Sequence, residues 1–190
     1  VIPKRERPAI FSQAQAEQLA RDGAVLVEQL DGEEPLLLMA CGSYQLAEMQ
    51  RAAVRLRTAG LAYRLVYVQE PGRFRAPRDR WEAQALASPE VVAQLFAPAL
   101  RRRVLLTHMR PEVARGHLWP LLPDASNTVV LGYRNRGGTL DEAGMQFANS
   151  ATWAHILDAC AQLLQVPLSD VLSAAEIMAV KGEGDPCVLR

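Results

Sequence analysis

The stretch Pro35-Leu36-Leu37-Leu38-Met39-Ala40-Cys41-Gly42-Ser43-Tyr44-Gln45-Leu46-Ala47-Glu48-Met49-Gln50-Arg51-Ala52-Ala53 reads as a buried strand, a tight turn and the start of a helix. Residues 35–41 are apolar without alternation. That pattern suits a strand covered on both faces, the condition of a parallel sheet between helical layers. Gly42-Ser43 breaks the run. From Ser43 to about Arg57, Leu46, Met49, Ala53 and Leu56 recur at helical spacing, while Glu48, Arg51 and Arg55 fall on the opposite side.

Upstream, Ser12 and Gln15 have the spacing of a capping box, Leu19 supplies an apolar contact and Gly23 a C-terminal stop. A helix is predicted over about 12–21, a strand over 24–29 and a turn over 31–34. Downstream, valine, leucine and tyrosine mark a strand at 63–69, and the arginine-rich stretch 71–80 reads as a loop. Pro89 suits the first position of a helix running through Val92 and Phe96. A short buried strand is predicted at 104–107, a helix at 111–121 and a strand at 128–133, closed by the turn Arg134-Asn135-Arg136-Gly137-Gly138. One strong helix is predicted from about 149 to 164 with Trp153, Ile156, Leu157 and Cys160, and a short one near 169–179. Gly182 to Pro186 reads as a loose tail. Strand and helix alternate from Pro35 onward, the signature of an open, mostly parallel α/β sheet. The first strand follows a helix and enters the second through a tight turn, so it is expected antiparallel at an edge.

Composition agrees and narrows the functional classes. Apolar residues make up 49% and charged residues 22% of 190, as in ordinary globular domains. Lys+Arg 21 balances Asp+Glu 21, which argues against a general nucleic-acid or anionic-membrane binder. Lysine occurs only at Lys4 and Lys181, so neither a Schiff-base lysine nor a P-loop lysine has a good candidate. Cys41, Cys160 and Cys187 are widely spaced with no CxxC pair, which suits a reducing compartment and argues against a thiolate metal site. No apolar run approaches the roughly 20 residues of a membrane span, and no signal peptide opens the sequence, so a cytoplasmic location is expected. The chain opens at Val1 without methionine, on a charged, proline-containing stretch typical of interdomain linkers. A fragment of a longer polypeptide is expected.

No complete active site emerges. The turn Cys41-Gly42-Ser43 lies between a buried strand and a helix start, where backbone N–H groups hold anions, but it lacks the further glycines of a dinucleotide fingerprint. His108 follows a strand at the sheet edge where α/β domains place ligands. His108, His117 and His155 show no i, i+4 pair for zinc, and no GxSxG elbow exists for a hydrolase triad. Arg73, Arg75, Arg78 and Arg80 are interleaved with Glu70, Asp79 and Glu82, the pattern of a solvated loop or an interface. Arg134, Asn135 and Arg136 are candidate anion or interface contacts, together with Ser43 and His108. Asp141-Glu142 sits in an expected turn without a partner. Gly182-Glu183-Gly184-Asp185 lacks the downstream asparagines of a thiamine-diphosphate magnesium motif. Catalytic, cofactor-binding and metal residues are therefore read as none in this chain.

The order of these segments resembles the C-terminal domain of transketolase-like enzymes, and within them the phosphoketolase family. The run 35–53 is similar to the strand–turn–helix that opens that domain, with Cys41 in place of a threonine in an Ala-Thr-Gly-Ser turn. Pro8-Ala9-Ile10-Phe11-Ser12 resembles the link into the last domain. Ser88-Pro89-Glu90-Val91-Val92-Ala93-Gln94-Leu95-Phe96 resembles the helix before the next buried strand. Gly132-Tyr133-Arg134-Asn135-Arg136-Gly137 is similar to a Gly-Tyr-Lys-Glu-x-Gly turn, with Met145, Asn149, Trp153 and His155 at matching distances. Ser150 and Thr152 stand where the family has acids, and the stretch 108–127 lacks two of its segments.

The resemblance implies a three-layer α/β/α domain with a mixed, mostly parallel five-stranded sheet and the first strand antiparallel. It implies 1–11 as a linker from a preceding domain, 12–180 as the domain and 181–190 as a tail. It also implies a parent enzyme, a homodimer that cleaves ketose phosphates such as xylulose 5-phosphate or fructose 6-phosphate. Two preceding catalytic domains would hold thiamine diphosphate and magnesium. Two alternatives are a free-standing α/β ligand-binding module at the sheet edge near Ser43 and His108, and a pure oligomerisation module.

Overall fold

Residues 9–136 and 138–190 are described by the computed structural model. Residues 1–8 of the expected linker and Gly137 of the expected turn lie outside the described residues. Ser12 caps α1 (Gln13–Asp22) through a capping box with Gln15, and Gly23 ends it at φ 76°, its N–H bonding Leu19 O at 2.9 Å. The order then runs β1 (Ala24–Leu30), β2 (Leu36–Cys41), α2 (Ser43–Thr58), β3 (Tyr63–Val68), α3 (Arg80–Ala83), α4 (Pro89–Leu95), β4 (Arg103–Thr107), α5 (Pro111–His117), β5 (Thr128–Leu131), α6 (Glu142–Ala148), α7 (Trp153–Leu164) and α8 (Ala174–Val180).

The five strands form one sheet in the order β1-β3-β2-β4-β5. β1 runs antiparallel to β3 at one edge, with a register shift between Leu26 and Glu28, and every other pairing is parallel. The apolar run in β2 is explained by its central place. Leu36, Leu38 and Ala40 pack into the core under α1, α2, α7 and α8, with Leu46, Met49, Ile156 and Leu157. Leu37, Met39 and Cys41 pack into a second core on the other face, with Leu95, Phe96, Ala114 and Leu118 beneath α4 and α5. All six β2 residues are buried, so alternation gives way to a continuous run. The three-layer α/β/α architecture with an antiparallel first strand is as expected.

Several segments differ from the sequence reading, and three of them bear on the site and the chain's end. Asp141 and Glu142 are not in a bare turn. Asp141 Oδ1 accepts the Gly144 N–H at 2.8 Å and is the N-cap of α6, which the reading missed. The helix predicted from 149 begins only at Trp153. Ser150 adopts φ 55°, with Ser150 N–H bonding Phe147 O and Ala151 N–H bonding Gln146 O. That is a Schellman ending to α6, built without glycine.

The loose tail is packed. Residues 186–189 form a 3-10 turn started by Asp185, whose Oδ1 accepts Cys187 N–H, and Leu189 is buried. Leu189 O accepts bonds from Arg51 Nη2 at 3.1 Å and Trp153 Nε1 at 2.9 Å, and these hold the end of the chain against α2 and α7. Part of the expected linker also touches the domain: Phe11 stacks on Tyr67 with ring centroids 5.5 Å apart. Cys41 and Cys160 are core residues as expected, and burial pushes the Cys41 thiol up to about 12.

Candidate functional site

In an open α/β sheet, neighbouring strands whose crossovers leave in opposite directions open a crevice at their carboxyl ends. Here β2 leads to β3 on one side while its other neighbour is β4, so the crevice lies at Cys41-Gly42 and Thr107-His108. Gly42 precedes α2 at φ 114°, a conformation side chains rarely adopt. A Cβ there would overlap Gln45 Oε1 and lie 3.3 Å from His108 Nδ1. His108 Nδ1 is 3.1 Å from Cys41 O, and because a carbonyl only accepts, the imidazole donates from Nδ1.

The expected candidates divide among three places. His108 lines a pocket of about 160 Å³ with Gln45, Thr107, Tyr133 and Asn149 at the ends of β2, β4 and β5. Ser43 lines a different, largely apolar cleft of about 420 Å³ with Ile10, Phe11, Leu46 and Tyr67. Arg134, Asn135 and Arg136 line an open groove with Arg110 and Tyr133. Tyr133 alone of these lies in both the His108 pocket and the arginine groove.

Asn149 orders the turn that carries the arginines. It is buried, its Oδ1 accepts Arg134 N–H at 2.7 Å and Arg136 N–H at 3.3 Å, and its Nδ2 donates to Arg136 O and Met145 O. Asn135 sits at φ 58°, a left-handed conformation that asparagine tolerates, and its Oδ1 accepts the Tyr133 hydroxyl at 2.9 Å. Sequence reading placed Asn149 inside a helix. The usable signal was a polar residue at the end of an apolar helical face.

Three arginines of the loop 73–80 are held by neighbouring groups of the chain. Arg75 and Arg78 both pair with Glu82, and Arg73 Nη1 donates to Arg21 O. The hydrogen bonds from Arg78 hold the Glu82 carboxyl at about 2. The solvated-loop reading fits this geometry.

His155 faces α6, with its ring centroid 5.8 Å from that of Phe147 and its Nδ1 2.8 Å from Thr152 Oγ1. Burial lowers it from the ordinary histidine value to about 4. Above about pH 6.5 the folded and unfolded chains both keep it neutral. Between 6.5 and 4 the unfolded chain binds a proton that the folded chain refuses, so stability falls as pH falls through that window. The expected loss is about 3 kcal/mol by pH 4 relative to His155→Asn, because each pH unit between the unfolded and folded pKa values is worth about 1.4 kcal/mol. Urea unfolding of both proteins at pH 7 and pH 4 checks it, and parallel pH dependence would refute it.

Among the described residues no group of three or more histidine, cysteine, aspartate or glutamate side chains converges on a metal position. No helix among them is long and apolar enough to cross a membrane.

The antiparallel edge strand, the parallel remainder and the helices on both faces define a three-layer α/β/α domain with a mixed five-stranded sheet. Among solved structures, transketolase from Leishmania mexicana matches 78% of this chain with a TM-score of 0.55 and 15% identity. Transketolase from Campylobacter jejuni subsp. jejuni matches 82% with a TM-score of 0.49 and 13% identity. This chain spans 19% and 20% of those two chains. No protein-family model matches, and no curated protein matches by sequence. The likeness is one of fold.

Proposed function

We propose that the chain is the C-terminal, non-catalytic domain of a thiamine-diphosphate-dependent enzyme of the transketolase type, in its phosphoketolase branch. The observation that carries this reading is the mixed five-stranded sheet with an antiparallel β1, matched over 78% of the chain to one fifth of a transketolase. The parent would be a cytoplasmic homodimer that cleaves xylulose 5-phosphate or fructose 6-phosphate, and this domain would support its assembly without nucleic acid or membrane.

The described residues do not fit thiamine diphosphate with magnesium. Magnesium bridging a diphosphate needs several converging oxygen ligands. The one stretch with a glycine–acid pattern, 182–185, has Asp185 Oδ1 accepting the Cys187 N–H, and among the described residues no cluster of three or more acids, histidines or cysteines converges there. The cofactor belongs on the preceding domains in this reading, and no chemical step is assigned to this chain.

The test is an immunoblot of source-cell extract with an antibody to residues 9–190. The expected band is several times larger than 20.9 kDa. A band near that mass would overturn the reading in favour of a free-standing ligand-binding or oligomerisation module. The isolated chain is also expected to show no calorimetric binding of thiamine diphosphate with magnesium. Saturation at micromolar concentration would overturn the non-catalytic assignment.

A further inference from the structure

We infer that the carboxyl end of the sheet binds a small phosphorylated polyhydroxy compound, its hydroxyl groups over Gln45 and His108 and its phosphoryl group in the groove of Arg110, Arg134 and Arg136. The inference stands on this chain's own residues and is independent of what the parent enzyme does.

Gln45 carries it. This side chain is 9% exposed and lines the pocket beside His108, yet its amide has no hydrogen-bond partner among the described residues. The amide of this largely enclosed side chain opens only into the pocket, where its donor and acceptor are free for a polar ligand. Gln45 is also the third residue of α2, a 16-residue helix whose N-cap Gly42 offers no side-chain cap. Gly42 has no Cβ to fill the space shared by Gln45 Oε1 and His108 Nδ1.

The chemistry of the two donors and acceptors selects hydroxyl groups. An amide both gives and accepts a hydrogen bond. His108 spends its Nδ1 proton on Cys41 O, so Nε2 is the ring nitrogen left to face a ligand. A ligand hydroxyl, which both donates and accepts, suits both groups. At about 160 Å³ the pocket holds only a few carbons with their hydroxyls.

The phosphoryl group belongs next door. Across Tyr133, Arg110, Arg134 and Arg136 line a groove whose one acid is Glu112. None of the three guanidinium groups makes an ion pair among the described residues, while Arg51, Arg55, Arg57 and Arg78 all do. Planar guanidinium forks match phosphate oxygens in pairs. Asn149 fixes the backbone of residues 134 and 136, so the turn from which two of the three arginines project is ordered before any ligand arrives.

The experiment is a two-dimensional amide NMR titration of the 190-residue chain with sn-glycerol 3-phosphate and with D-ribose 5-phosphate. Inorganic phosphate and glycerol serve as the dissecting probes. Saturable binding is expected by about 10 mM of at least one phosphomonoester, with shifts at the Gln45 side-chain amide and at the 134–136 backbone. Inorganic phosphate is expected to bind about tenfold more weakly and to move the turn alone. Glycerol is expected to shift nothing.

Gln45→Leu, near in volume and lacking the amide, is expected to weaken phosphomonoester binding about tenfold without lowering Tm. The exposed His108→Ala serves the same purpose should Gln45→Leu fail to fold. Arg134→Ala with Arg136→Ala is expected to abolish binding. Absence of saturation by both compounds would overturn the inference. So would full affinity in Gln45→Leu or His108→Ala, or inorganic phosphate binding as tightly as the esters.

Discussion

Replacing Arg103 by methionine is expected to lower stability by about 4 kcal/mol and move the urea midpoint down by about 1.3–2 M, since chains of this size unfold with slopes near 2–3 kcal/mol/M. Arg103 opens β4, is 3% exposed and makes no ion pair among the described residues. Its guanidinium is held by main-chain carbonyls: Nε donates to Leu100 O at 2.8 Å, Nη1 to Leu121 O at 2.6 Å, and Nη2 to Phe96 O and Ala97 O at 3.2 Å each. Phe96 is the C-cap of α4, so its carbonyl lies at the negative end of that helix. Burial lowers the guanidinium from its ordinary value, but far too little to discharge it near neutral pH.

Methionine keeps the length and the apolar stem. It leaves Phe96 O, Leu100 O and Leu121 O without a donor, while Ala97 O keeps the Leu100 N–H at 2.9 Å, and each orphaned acceptor costs about 1–3 kcal/mol less whatever relaxation returns. The turn before β4, the end of α4 and the 3-10 turn at Trp119–Leu121 would all loosen together. Lysine is expected to recover less than half of the loss, because one ammonium cannot reach carbonyls spread around a planar fork. Equilibrium urea unfolding checks both variants. A methionine variant with an unchanged midpoint would mean that the carbonyls find other donors.

Arg103 also marks where sequence reading stops. The buried strand was legible from Val104 to Thr107 because Val104, Leu105 and Leu106 form a short apolar run. The arginine before them looked like one more surface charge. Nothing local distinguishes a cation bound for solvent from one that four carbonyls, drawn from positions 96 to 121, will surround. The same holds at the candidate site. That β2 would be central was legible in its unbroken apolar run, and the antiparallel first strand in the tight turn after it. His108 at a strand end was legible for the same topological reason.

Other parts depended on approaches between distant segments. Gln45 was hidden in a helical pattern because only the meeting of α2 with β4 and β5 shows that its amide goes unpartnered. Asn149 and Ser150 were read into α7 because the polar N-cap Asp141 and the non-glycine Schellman turn carry weak local signals, and helical spacing overran them. Ser43 and His108 looked like members of one edge. They line separate pockets because Ser43 is turned toward Phe11 and Tyr67.

Trp153→Ala is expected to cost about 3–5 kcal/mol, the range for truncating a buried aromatic ring, and to lower Tm by about 10 °C at the 2–4 °C per kcal/mol typical of this chain length. Helical spacing alone places Trp153 on the core face of α7, and its 6% exposure agrees. Its polar atoms add three connections. Trp153 N–H donates to Glu48 Oε2 at 2.7 Å, so α2 supplies a cap to α7. The indole Nε1–H donates to Leu189 O, which fastens the chain's last turn. Arg51 and Arg55 lie over the ring, each 5.2 Å from its centroid.

Phenylalanine separates these effects. It keeps an aromatic ring and the main-chain bond to Glu48 but loses the donor to Leu189 O, which Arg51 still serves. Trp153→Phe is therefore expected to cost only about 1–2 kcal/mol. Fluorescence reports on the same substitution, because Trp81 and Trp119 are 66% and 59% exposed and Trp153 is the one buried indole. The wild-type emission should lose its short-wavelength component in Trp153→Phe and shift toward that of exposed tryptophan. If residues 186–189 depend on this anchor, Trp153→Ala should also speed endoproteinase Lys-C cleavage after Lys181 at a temperature where the variant remains folded. Unchanged cleavage with a lowered Tm would locate the lost stability in the α2–α7 core and leave the terminal turn held by Arg51 alone.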